Sequence, residues 1–129
     1  MTSTPDDFDW VSARAECSLK RVFAKLSLDV QGDVAIREEF SRKTLDGRTF
    51  RWQEAARGFL VSRTVRQDDK HVTFVLGDDA IEVSGHGVGS FSASLTLNCE
   101  GKCRFSVNGQ EVESWQLRRM ALDALFFGM

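Results

Sequence analysis

Tyrosine is absent from this chain, proline occurs once, and histidine occurs only as His71 and His86. The acid–base repertoire is therefore narrow, since a proton-transfer site would have to be built on two imidazoles or on carboxylates. No apolar run approaches the roughly 18 residues that a membrane-spanning helix needs. Met1 to Asp9 holds three Asp and no basic residue, which is not the charge pattern of a secretory or organelle-targeting leader. A cytoplasmic location is the resulting expectation, and with it reduced thiols. Cys17, Cys99 and Cys103 are also odd in number, so no disulfide framework is expected. One C-x3-C pair plus a distant third cysteine does not supply the four ligands of a structural zinc site, and no metal or cofactor is expected. Walker, G-x-S-x-G and H-E-x-x-H patterns are missing, so no catalytic residue can be named and a non-enzymatic role is favoured.

What is present is the composition of an ordinary folded domain: 129 residues, 42% hydrophobic and 28% charged. A chain of that length buries about two thirds of its unfolded surface, enough for a core that needs no crosslink. No repeat or Pro/Gly/Ser-rich linker divides it, so residues 1–129 read as a single domain. The formal net charge of −2 gives no positive field of the kind that nonspecific nucleic-acid binding uses, and a nucleic-acid partner is not expected. Charge is unevenly spread all the same. Residues 1–41 are net −3, residues 42–70 net +4 and residues 71–129 net −3. The Arg-rich middle leaves open an anionic ligand or partner.

From Phe8 to Cys17 small and apolar residues alternate with polar ones, which predicts a half-buried strand. Ser18 then stands at an N-cap position before Leu19, Val22, Phe23 and Leu26, which predicts a short amphipathic helix. Asp29 offers a second cap, for a helix reaching about Lys43; the two segments could also be one kinked helix. After Leu45 the period becomes two. Strands are expected over Thr49–Gln53, Phe59–Arg66, a stretch ending at Leu76 after a turn at Asp68-Asp69, Ile81–Val83, Val88–Asn98, Lys102–Val107, and a short return near Val112. Asn108-Gly109 is the pair that a two-residue type I′ hairpin demands. Ser84 to Gly89 is glycine-rich, but a strand follows it where a phosphate-binding loop would need a helix, so the glycines read as hairpin geometry. Trp115 to Phe127 is expected to be a helix with two apolar stripes, one of Leu117, Met120, Ala121, Ala124 and Leu125, the other of Trp115, Leu122 and Phe126.

The expected fold class is thus α+β: an antiparallel meander of about six or seven strands, one or two N-terminal helices, and a C-terminal helix on the apolar face. This order resembles the helix-grip architecture of START and Bet v 1-like proteins, in which a curved sheet wraps a terminal helix and often encloses a ligand. The resemblance is one of element order and quotes no motif. It implies a cavity between sheet and last helix, limited here by a helix of only about four turns.

Arg63 shares the parity of Phe59, Val61 and Val65, so a regular strand points its guanidinium at the core, where something must meet the charge. A bulge, a rim position, or an ion pair with Glu38 or Glu39 would satisfy it; so would a ligand carboxylate or phosphate. Phe50, Trp52 and Trp115 could line a pocket around it. The leading functional expectation is therefore a small non-catalytic binding module holding an apolar or anionic ligand at Arg63, Trp52, Phe50 and Trp115. The alternatives are a homodimeric interaction or chaperone-like adaptor using Trp115, Leu122 and Phe126, and an enzyme of helix-grip type with an unrecognised site. The partner is thus an unidentified small molecule or protein.

Overall fold

Asp9 decides the first element. In the computed structural model, which describes residues 7–128, its Oδ1 accepts from the Ser12 N–H at 3.0 Å and its Oδ2 from the Ser12 hydroxyl. That cap starts a seven-residue helix, α1 (Trp10–Glu16), where the alternation predicts a strand. None of its residues is buried, so the alternating pattern has no sheet face to serve. The rest of the acidic N-terminal stretch, residues 1–6, lies outside the described residues.

Ser18 caps α2 as expected, its hydroxyl accepting from the Arg21 N–H at 3.3 Å. The helix then runs unbroken over Leu19–Thr44. Asp29 does not restart it. Its carboxylate pairs with Lys25 one turn earlier, at 3.2 Å, and the helix continues through Gly32 because Leu26, Val30 and Val34 keep one buried stripe across that point. Two helices become one.

Seven strands follow: β1 (Thr49–Ala55), β2 (Gly58–Val65), β3 (Asp68–Leu76), β4 (Ile81–Gly85), β5 (Gly89–Leu97), β6 (Cys103–Val107) and β7 (Gln110–Val112). Each pairs antiparallel with the next in one seven-stranded sheet, and α3 (Ser114–Phe127) closes the chain. The fold class is α+β, with an N-terminal helical segment, a meander and a C-terminal helix. Asp68 and Asp69 belong to β3 rather than to the turn, which falls at Arg66-Gln67 with Arg66 at φ 59°. Asn108 and Gly109 both take positive φ, 52° and 80°, as a type I′ hairpin requires. Gly87, at φ 81°, lies so close to Ala124 that a Cβ there would overlap the alanine methyl. The glycine-rich segment is therefore the place where the β4–β5 hairpin passes under α3.

One face of the sheet is buried and one is wet. Phe59, Val61, Val72, Phe74, Ile81, Val83, Ala93, Phe105 and Val107 point inward, and α2 and α3 cover them with Leu26, Val30, Val34, Leu117, Ala121, Leu122 and Leu125. Helix α2 crosses the sheet diagonally. Its start is tied to β6 by a disulfide between Cys17 and Cys103, with Cα atoms 5.4 Å apart. Towards its end the Glu38 carboxylate accepts from the Phe50 N–H on β1 at 2.7 Å. The disulfide overturns the expectation of three unpaired thiols. The α1–α2 junction sets Cys17, itself buried, against the start of β6; the count of cysteines does not show this, because the two lie 86 residues apart. Only Cys99 is free, and it is exposed.

Candidate functional site

Arg63 does point inward, and it is only 4% exposed. What meets it is the end of α3. Its Nη1 donates to the backbone carbonyls of Leu125 (3.0 Å), Gly128 (3.2 Å) and Ala124 (3.5 Å), the last of which also accepts from the Gly128 N–H; a helix C-terminus leaves its final carbonyls short of intrahelical donors. A cation there also opposes the negative end of the helix dipole. Burial, and after it repulsion from Arg48, draws the Arg63 pKa below its ordinary value. Neither Glu38, which serves Phe50, nor a bulge supplies the partner.

A second buried arginine, Arg37, was hidden from sequence reasoning. It donates from Nε to the Phe126 carbonyl (2.9 Å), from Nη1 to the Ser41 hydroxyl (2.8 Å) and from Nη2 to Asp46 (2.9 Å). Its guanidinium lies 4.6 Å from the Phe50 ring centroid, and near those of Phe127 and Phe40 at 5.0 and 5.1 Å. Arg48 adds a bond to the Phe126 carbonyl at 3.2 Å. Three arginines thus gather at one helix end.

The residues singled out as a pocket are not gathered into one. Phe50 is buried and meets Phe126 edge to face at 5.2 Å, close to Arg37. Trp52 is half-buried and stacks on Phe59 at 5.8 Å, with its Nε1 buried and without an acceptor among the described residues. Trp115 stands on the outer side of α3, 52% exposed, while Leu122 and Phe126 are buried beneath it. His71, within β3, is exposed, and His86, in the β4–β5 connection, is half-buried and donates its backbone N–H to the His71 carbonyl at 3.0 Å. Among the described residues no group of three or more His, Cys, Asp or Glu could hold a metal ion, and no helix is long and apolar enough to cross a membrane.

An apolar-floored cleft lies elsewhere, between the first half of α2 and the β5–β7 end of the sheet, with a volume of about 440 Å³. Val22, Leu26, Leu95, Phe105 and Val112 form an apolar floor. Around the mouth stand Arg21, Lys25 and Arg104 with Glu16, Asp29 and Glu113, and Cys103 of the disulfide forms part of the wall. Lys25 is paired with Asp29, and Arg104 reaches Glu113 at 3.8 Å. The Arg21 side chain has no ion pair among the described residues. The sequence carries the floor, through the parity of Leu95 and Phe105 and the helical stripe of Val22 and Leu26. It does not carry the gap between them, which depends on the angle at which α2 leaves the sheet.

A second groove runs along the outside, between α2 and α3, lined by Ile36, Phe40, Leu122, Phe126 and Phe127 with Asp33 and Arg118 across its floor. Arg118 Nη1 donates to both Asp33 oxygens at 2.9 Å, clasping the helices together. Burial raises the Asp33 pKa above the ordinary aspartate value, against the lowering pull of Arg118. A carboxyl held more tightly to its proton in the folded state favours folding at acid pH, and that contribution is lost as pH rises through the raised value. Asp46 behaves oppositely: burial acts to raise it, but hydrogen bonds from the Arg48 N–H, Arg37 and Ser41 together bring it below the ordinary value. Carboxyl-carbon NMR titration is expected to show Asp33 protonating at higher pH than Asp46, and Arg118→Met is expected to move Asp33 higher still. An Asp33 midpoint below that of Asp46 would contradict this account.

No family model, curated protein or solved structure matches the chain.

Proposed function

We propose that this chain is a non-catalytic binding module whose α2/β5–β7 cleft holds a small amphipathic anion. The observation that carries the reading is a cleft of about 440 Å³ with an apolar floor and, at its mouth, an arginine without a counter-ion among the described residues. Ligand sites are of this size and build, mostly apolar with a few polar groups that fix orientation. An apolar tail would displace water from Val22, Leu95 and Val112, and a carboxylate would take the Arg21 fork bidentately, with Arg104 beside it. This moves the anchoring role from Arg63, which is engaged by α3, to Arg21. A cytoplasmic location, expected from the sequence, would keep Cys17 and Cys103 as thiols. The disulfide in the cleft wall instead fits a module that works where thiols oxidise.

Titration calorimetry with dodecanoate tests the reading, using dodecyltrimethylammonium as the same tail with the opposite charge. Dodecanoate is expected to bind at least about tenfold more tightly than the cation. Arg21→Ala is expected to erase most of that preference, and Val22→Trp, which fills the cleft, to abolish binding of both. Equal binding of the two head groups, or binding that survives Val22→Trp, would overturn the proposal.

A further inference from the structure

Four exposed residues on the outer side of α3 recur at spacing four: Trp115, Arg119, Asp123 and Phe127. Trp115 and Phe127 are 52% and 62% exposed, costly positions for such large rings in a solitary molecule. Arg119 and Asp123 are exposed too, and neither joins an ion pair among the described residues. The order of the four has a property that a random amphipathic surface lacks: read backwards, ring, cation, anion, ring becomes ring, anion, cation, ring. Two such rows laid antiparallel about a point midway between Arg119 and Asp123 set every cation against an anion and every ring against a ring.

We propose that α3 packs antiparallel on α3 of a second copy of this chain about a two-fold axis, pairing Trp115 with Phe127 and Arg119 with Asp123 of the other copy, each twice. A two-fold interface uses the same patch on both subunits and must be self-complementary, which this row is. Rows at spacing four are also the ridges that interdigitate in the commonest class of helix pairs. A partner of single-sign charge would leave either Arg119 or Asp123 facing its like, which is why a second copy is the favoured occupant. Ile36 and Phe40 on the adjoining α2 surface widen the apolar area beside the row. Nothing in this arrangement uses the α2/β5–β7 cleft, so the two proposals stand or fall separately.

Sedimentation velocity of the full, oxidised chain over a concentration series tests the pairing. The wild-type protein is expected to dimerise reversibly. Arg119→Asp places like charges across both contacts, as does Asp123→Arg, and each is expected to weaken the dimer by about tenfold or more. The double variant R119D/D123R reverses both charges together and is expected to recover most of the wild-type affinity. Phe127→Asp is expected to leave a monomer. All three substituted positions are exposed, and unchanged circular dichroism will show that the four variants fold. A wild-type monomer at every concentration would overturn the proposal, and so would a dimer indifferent to the single charge reversals or one that the double reversal fails to restore.

Discussion

Removing the Cys17–Cys103 bond, through Cys17→Ser with Cys103→Ser or through reduction, is expected to lower the unfolding free energy by about 4 to 5 kcal/mol. The size follows from the loop that the bond closes, 86 residues of separation and so most of the chain. Without the link, the unfolded ensemble regains that closure entropy while the folded state loses only one contact. The loss should be felt first at the α1–α2 junction, because α1 buries none of its residues and the disulfide is what ties this end of the helices to β6. Urea unfolding is the measurement: a lower midpoint, with a steeper slope as the freed chain exposes more surface. Cys99→Ser, at an exposed free thiol, should leave the curve unchanged. A double-serine variant within about 1 kcal/mol of wild type would show that the crosslink is incidental.

Arg37→Met is expected to cost a comparable amount, about 3 to 5 kcal/mol, because it removes the central donor of a buried polar cluster and leaves the Phe126 carbonyl and Asp46 with Arg48 alone of their arginine partners. The Phe126 carbonyl and the Ser41 hydroxyl each lose a donor, and the rings of Phe40, Phe50 and Phe127 lose the flat cation between them. Arg37→Lys should recover little of this. An ammonium cannot donate in three directions from one plane or lie flat against aromatic faces. Chemical denaturation of the two variants checks it, and a lysine variant as stable as wild type would show that charge alone, without the planar fork, is sufficient.

The two buried arginines also show what could be read in advance. Arg63 was legible because strand parity is a strict period of two, and one inward position among Phe59, Val61 and Val65 is conspicuous. Its partner was not. The groups that satisfy it are backbone carbonyls at a helix end more than 60 residues away, and backbone groups leave no mark in a sequence. Arg37 left no mark either, since it sits on a helix whose other basic residues are exposed, and its burial depends on where α3 ends. The strands after Leu45 were legible for the same reason as Arg63, and the Asn108-Gly109 turn through its chemistry. The residues around Val11 and Ala13 were misleading. Four alternations fit a turn and a half of helix as well as a strand, and the Asp9 cap outweighs them. The cleft was half visible: its floor follows from parity and helical spacing, its opening from an angle between elements that local patterns do not encode.

The most direct test of the binding account is the set of intermolecular nuclear Overhauser effects between dodecanoate and the methyl groups of the oxidised protein. Contacts are expected from the alkyl chain to Val22, Leu95 and Val112, within the α2/β5–β7 cleft. Contacts confined to Ile36 and Leu122, in the groove between α2 and α3, or no contacts at all, would contradict it.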